Sequence, residues 1–143
     1  MAMLNRILAP TDFSELSAAG ALYACRLAKE VDAEIIVFNV VVLDESNAVD
    51  KREMAAHKIR LDELVTDKLA EAGAGVKIRQ IVVGGQPYGA IVDCAENEGV
   101  DLIVMSSHGR TGLSRMLIGS VTDNILRGAP CPVLVVPVQQ SKD

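Results

Sequence analysis

Glu34-Ile35-Ile36-Val37-Phe38-Asn39-Val40-Val41-Val42-Leu43 carries β-branched and apolar residues almost without a break. A strand with one wet face alternates apolar and polar residues. A strand apolar at successive positions is buried on both faces, as in a parallel sheet covered by helices. The flanking segments repeat the pattern. Upstream, Arg6 to Ala9 is a short apolar strand stopped by Pro10. Thr11, Asp12 and Ser14 then offer N-cap chemistry for a helix running to about Val31, on which Ala21, Ala24, Cys25, Ala28 and Val31 recur at helical spacing. Downstream, the charged stretch Asp44 to Arg52 reads as a loop or helix entry. A helix from roughly Met54 to Ala72 follows, with Leu61, Leu64, Val65, Leu69 and Ala72 on one face and Gly73 and Gly75 at its end. His57 falls on its charged face and reads as solvated.

Val76 to Val83 is expected as a third strand, Gly84-Gly85 as a turn, and Pro87 as the opening of a helix with Ala90, Ile91, Cys94 and Ala95 on one side, closed by Gly99. Leu102 to Met105 is a fourth strand. Ser120 caps a short helix to Arg127, and Val133 to Val136, bracketed by Pro132 and Pro137, is the fifth strand. Strict alternation predicts parallel strands joined by right-handed crossovers, hence an α/β, doubly wound three-layer sandwich. Residues 1–143 form one domain without linker or repeat.

Half of the 143 residues are apolar, enough for a core without disulfides or metal. The chain has no Trp, two Phe and two Tyr, which argues against stacking on bases, and a net charge of −5 that repels a polyanion; nucleic acid is not an expected partner. The apolar runs are strand-length and the N-terminus lacks a signal-peptide pattern, so neither membrane nor export is expected and the natural compartment is the cytoplasm. Cys25, Cys94 and Cys131 form no Cys-x-x-Cys motif and read as reduced packing residues.

In doubly wound sheets ligands lie beyond the carboxyl ends of the strands, where the winding reverses. The richest loop there runs from Ser106 through Thr122 and contains no acidic residue. Gly109, Gly112 and Gly119 permit close approach of backbone to a ligand. Ser120-Val121-Thr122 presents a helix N-terminus suited to an anion, and His108, Arg110 and Arg115 add positive potential. Ser120-x-x-Asp123 also spells a capping box, which explains the helix start without a ligand. Glycines, hydroxyls and cations converging after one buried strand favour phosphate over that reading. Neither a P-loop nor a dinucleotide glycine pattern is present. A phosphoreceiver would need an acidic pair after strand one and an Asp ending strand three; this chain has Asp12 and Gly84.

The same segment resembles the nucleotide loop of ATP-binding universal stress proteins, Gly-x2-Gly-x9-Gly-Ser/Thr, with Gly109, Gly119 and Ser120 in register and Ser106 in place of the first glycine. Ile7-Leu8-Ala9-Pro10-Thr11-Asp12-Phe13-Ser14, Asp101-Leu102-Ile103-Val104-Met105 and Cys131-Pro132-Val133-Leu134-Val135-Val136 resemble the family as well, so the likeness covers the whole chain. It implies an adenine nucleotide alpha hydrolase-like sheet of order 3-2-1-4-5. It also implies a site in which Asp12 bonds the ribose, Val40 meets adenine through its backbone, and Pro10 and Thr11 line the base pocket. Met105, Ser106, His108, Gly109, Arg110, Gly119, Ser120, Val121 and Thr122 complete the nucleotide contacts. For Asp12 the residues alone leave helix capping equally open. The ligand implied is ATP, with Mg2+ or Mn2+ held mainly by its phosphates. The assembly implied is a homodimer through Val133 to Val136. The expected function is a nucleotide-dependent stress-response module acting on a protein partner. Two alternatives stay open: a nucleotide-free dimeric interaction module, suggested by Ser106, and a slow ATPase, for which no catalytic group is assigned.

Overall fold

The computed structural model describes residues 3–43, 46, 48–108 and 119–137. Five parallel strands, β1 (Arg6–Pro10), β2 (Glu34–Val42), β3 (Ile78–Gly85), β4 (Leu102–Ser106) and β5 (Val133–Val136), lie in the order β3-β2-β1-β4-β5. Helices α1 (Glu15–Val31) and α2 (Lys51–Leu64) cover one face, and α3 (Pro87–Asn97) and α4 (Ser120–Gly128) the other. Successive residues of the central strands therefore feed different cores. Ile7, Ala9, Ile35 and Val37 pack with Ala21, Ala24, Cys25, Leu61 and Leu69, whereas Leu8, Ile36 and Phe38 pack with Ile91, Ala95 and Ile125. The uninterrupted apolar run of β2 is the signature of this two-sided burial.

At the amino ends of the strands a charged cluster sets the register. The Asp101 carboxylate accepts from the backbone N–H groups of Asn5 (2.9 Å) and Arg6 (3.0 Å). Glu34 binds Arg6 at 2.5 Å and lies 3.5 Å from both Lys77 and Arg79, and Arg79 reaches Glu98 at 2.8 Å. Desolvation pushes the Glu34 carboxyl up, but the Arg6 hydrogen bond and the charges of Arg6, Lys77 and Arg79 together outweigh it and hold the group below its ordinary value.

Three sequence expectations change. The second helix starts at Lys51, inside the stretch read as loop or entry, because Asp50 caps it by accepting from Arg52 N (2.8 Å) and Glu53 N (3.4 Å). It ends in a π-helical turn, Val65–Leu69, in which Ala70 N–H donates to Val65 O five residues back; Leu61, Val65 and Leu69 stay buried across it. Gly84-Gly85 is strand rather than turn, paired with Val41 and Val42. A Cβ on Gly84 would meet Val49 Cγ2 at 3.0 Å and Leu43 Cδ2 at 3.2 Å, so its bareness admits those side chains over the edge strand.

Candidate functional site

The strand order reverses between β1 and β4, and there α1 and α4 leave the sheet toward opposite faces. The gap between their first turns is a cleft of about 310 Å³, at the lower end of small-molecule sites. Pro10, Thr11, Asp12, Val40, Met105, Ser106, His108, Gly119, Ser120, Val121 and Thr122 all line it. Of the residues singled out in the sequence, Gly109 and Arg110, with Gly112 and Arg115, lie outside the described residues. Ser17, Phe38, Val42, Pro87 and Ile91 also line it and were not anticipated. Phe38 and Val42 were readable in principle, standing two residues either side of Val40 on the same strand face; Pro87 and Ile91 read only as helix residues, and no local signal marks Ser17.

One wall is apolar, formed by Phe38, Val40, Val42, Pro87, Ile91 and Met105. In a parallel sheet the main-chain groups of alternate residues turn to alternate neighbours. Glu34 N bonds Asn5 O, and Phe38 O accepts from Thr11 N (2.8 Å), so the even-numbered residues of β2 face β1. The odd-numbered face β3, as Ile35 N→Lys77 O shows. The last β1 residue in register is Pro10, opposite Phe38. Val40 N–H and C=O therefore point to the side where β1 has already ended, into the cleft, as a donor and acceptor pair.

At the other side stands the start of α4. Gly119 is its N-cap residue and no side chain among the described residues caps it; Ser120 is the first helical residue, exposed. The capping box does not form. Ser120 sits one position too late to cap, and Asp123 instead pairs with Arg127 at 3.3 Å. Helix placement comes from Gly119 N→Ser107 O (2.8 Å) and Thr122 Oγ1→Ser106 O (3.0 Å), which tie α4 to the end of β4. The first turn thus presents main-chain N–H groups and the positive end of a helix dipole to the cleft.

Ser106, which replaces a motif glycine, turns its hydroxyl away from the cleft and into α1. Its Oγ donates to Leu16 O at 2.5 Å and accepts from Gly20 N at 3.0 Å, so it touches both ends of one i, i+4 pair of the helix. Gly20 makes room for this: a Cβ there would lie 2.6 Å from Ser106 Oγ. Deeper in the loop, His108 is buried, with Nδ1 3.1 Å from Ser107 Oγ.

The turn after β1 is built from short polar bonds. Thr11 Oγ1 and Ser17 Oγ lie 2.9 Å apart, Asp12 N donates to Ser17 Oγ (3.2 Å), and Phe13 N donates to Thr11 Oγ1 (3.1 Å). Asp12 Oδ1 accepts from Ser14 N (3.0 Å), and Ser14, not Asp12, caps α1 by accepting from Ser17 N. The capping alternative for Asp12 is thereby resolved: it shapes the turn, and Ser14 serves the helix. Phe13 sits at φ 70°, a left-handed conformation costing a non-glycine residue roughly 1–2 kcal/mol.

His57 is not solvated as its charged helix suggested. Its side chain is 16% exposed, its Nδ1 lies 2.8 Å from Asn39 Oδ1, and its ring meets Phe13 edge-on at 5.5 Å. Asn39, the polar interruption of the β2 run, is buried and donates through Nδ2 to Thr11 O at 2.9 Å. Among the described residues no buried side-chain nitrogen or oxygen lacks a partner, no three His, Cys, Asp or Glu residues cluster as a metal site, and no helix is long and apolar enough to cross a membrane.

With this geometry in place, known proteins give a consistent answer. The model of the universal stress protein family matches residues 3–137. Universal stress protein MJ0531 of Methanocaldococcus jannaschii is 37% identical over 94% of this chain and 82% of its own length. Universal stress protein MJ0577 of the same organism is 35% identical over 97% of this chain and 98% of its own. A solved MJ0577 structure superposes with a TM-score of 0.73, covering 97% of this chain and 99% of that one. A universal stress protein solved in complex with cAMP has a TM-score of 0.76 at 24% identity, covering 92% of this chain and 96% of that one, and shares the fold.

Proposed function

This chain belongs to the universal stress protein family, and from that premise we propose that its cleft binds ATP and that occupancy changes the surface offered to a protein partner. The observation that carries the proposal is the pairing, in one cleft, of the Val40 backbone donor and acceptor with the Gly119-led first turn of α4. The two lie on β2 and beyond β4, two strand spacings or about 10 Å apart, a separation a nucleoside bridges between base and phosphate. Adenine presents a ring-nitrogen acceptor beside an amino donor, complementary to Val40 N–H and C=O, while Phe38, Val42 and Ile91 offer its ring an apolar wall. Asp12, an acceptor-only carboxylate, suits the ribose hydroxyls. The α4 amides and the Ser120 and Thr122 region suit phosphate oxygens.

With Ser106 Oγ engaged by α1, replacement of the motif glycine does not put a hydroxyl in the ribose path. Mg2+ or Mn2+ would travel with the phosphates and supply charge neutralisation. A homodimer through β5 is proposed on the half-buried residues of that edge strand, Val133 to Val136. A nucleotide-free interaction module of the same fold is the competing reading. Mass spectrometry of small molecules released from the purified protein separates the two, together with calorimetry against millimolar Mg-ATP. Bound adenine nucleotide, and heat abolished in Gly119→Val, are expected. Protein that carries none and shows no heat overturns the ATP reading.

A further inference from the structure

We propose that His57 is a positioning residue for the Thr11-Asp12-Phe13 turn, acting through Asn39 from beneath the cleft; its effect on nucleotide affinity rests on the ATP reading above. Asn39 Oδ1 can only accept, so the 2.8 Å contact requires His57 Nδ1 to carry the proton. With that bond made, the Asn39 amide is oriented so that Nδ2 donates to Thr11 O at 2.9 Å. Helix α2 thus reaches the turn through one buried side chain, at a sequence separation of 45 between His57 and Asp12.

A second contact from the same helix converges on the same turn. Arg60, one helical turn on from His57, stacks its guanidinium 4.2 Å from the centroid of Phe13, while the His57 ring packs against Phe13 edge-on. Phe13 is the residue held at φ 70°, and such a conformation persists only when its surroundings over-determine it. The strained turn that carries Asp12 is therefore held by α2 from two directions, one polar and one aromatic. Thr11 N→Phe38 O, Phe13 N→Thr11 Oγ1 and Ser14 N→Asp12 Oδ1 report whether it stays in place.

The experiment compares His57→Phe, which keeps a ring against Phe13 but cannot donate, with His57→Asn, whose short amide restores a donor near the position of Nδ1. Amide hydrogen exchange is measured on the ligand-free protein and Mg-ATP affinity by calorimetry. His57→Phe is expected to speed exchange at Thr11, Phe13 and Ser14 about tenfold, leave Ile103 in β4 unchanged, and raise the Kd about tenfold. His57→Asn is expected to return both within about threefold of the parent. Unaltered exchange in His57→Phe, equal acceleration at Ile103, no recovery in His57→Asn, or faster exchange with unchanged affinity overturns the proposal. If the parent binds no Mg-ATP at all, it is the nucleotide reading that falls, and the exchange measurement alone decides the positioning role.

Discussion

Gly20→Ala puts the junction between α1 and β4 to the sharpest test. Alanine at a helix interior is ordinarily favoured over glycine by about 1 kcal/mol, so propensity alone predicts a more stable protein. The structure predicts the reverse. The new Cβ would lie 2.6 Å from Ser106 Oγ, 2.8 Å from Ser106 N and 3.2 Å from Met105 C. Two of those atoms are backbone of a buried central strand, which cannot swing aside. Relieving the overlap costs about 1–3 kcal/mol by analogy with overpacked cores, and displacing Ser106 Oγ from Gly20 N and Leu16 O adds about 1 kcal/mol. Against the propensity gain the net is about 2 kcal/mol of destabilisation, or a melting temperature lower by roughly 4–8 °C for a domain of this size.

Thermal and urea unfolding followed by circular dichroism measure both quantities. Ser106→Gly in the same background removes the Oγ contact but not the 2.8 Å backbone contact. The double variant should therefore recover only about 1 kcal/mol, a coupling between contacting neighbours. A Gly20→Ala protein as stable as the parent, or more so, refutes the close approach of α1 to the end of β4 and with it the account of where the Ser106 hydroxyl points.

Glu34 is held below its ordinary carboxyl value of 4.5 in the folded chain, so the folded state binds fewer protons than the unfolded one. Its stabilisation is complete above about pH 4.5 and is lost as pH falls through the lowered value. Glu34→Gln should flatten that acid limb in urea titrations run between pH 3 and 7 (roughly the carboxylate range), and an unchanged limb would contradict the assignment. Burial pushes the Cys25 and Cys94 thiols up to about 11 and raises that of the half-buried Cys131 as well. A thiol reagent at mildly alkaline pH should label Cys131 first and reach the other two at the rate of protein opening; peptide mapping that finds Cys25 labelled first would be the wrong result. Asp12→Asn keeps an acceptor for Ser14 N but loses the charge, so Mg-ATP affinity should fall about fivefold, the roughly 1 kcal/mol between charged and neutral hydrogen bonds. Calorimetry showing no change would remove Asp12 from the ribose.

The order of elements was legible because two-sided burial leaves a continuous apolar run in β2, and because small residues repeat at helical spacing on α1 where it meets the sheet. Part of the cleft was legible for a related reason: ligands gather at the ends of strands, and local glycines and hydroxyls marked the segment after β4. Pro10, Thr11 and Val40 came only from the family resemblance, and Ser17, Phe38, Val42, Pro87 and Ile91 were not read as site residues. Boundaries were less so. Gly84-Gly85 looks like a turn to any local rule, yet pairs with β2, since whether a glycine ends a strand depends on the neighbour available to bond it. Ser120 looks like a cap, yet Gly119 holds that position, because Gly119 N and Thr122 Oγ1 are claimed by the end of β4.

Local pattern, then, settled which segments are strands and helices and which loops carry polar chemistry, because backbone propensity and burial periodicity act over a few residues. Three matters belonged to tertiary structure alone: the direction of the Ser106 hydroxyl, the exposure of the Val40 main-chain edge, and the burial of His57 against Asn39. Each depends on a partner on another element of the chain, brought to a specific distance only when the sheet is assembled, and no local periodicity records that distance.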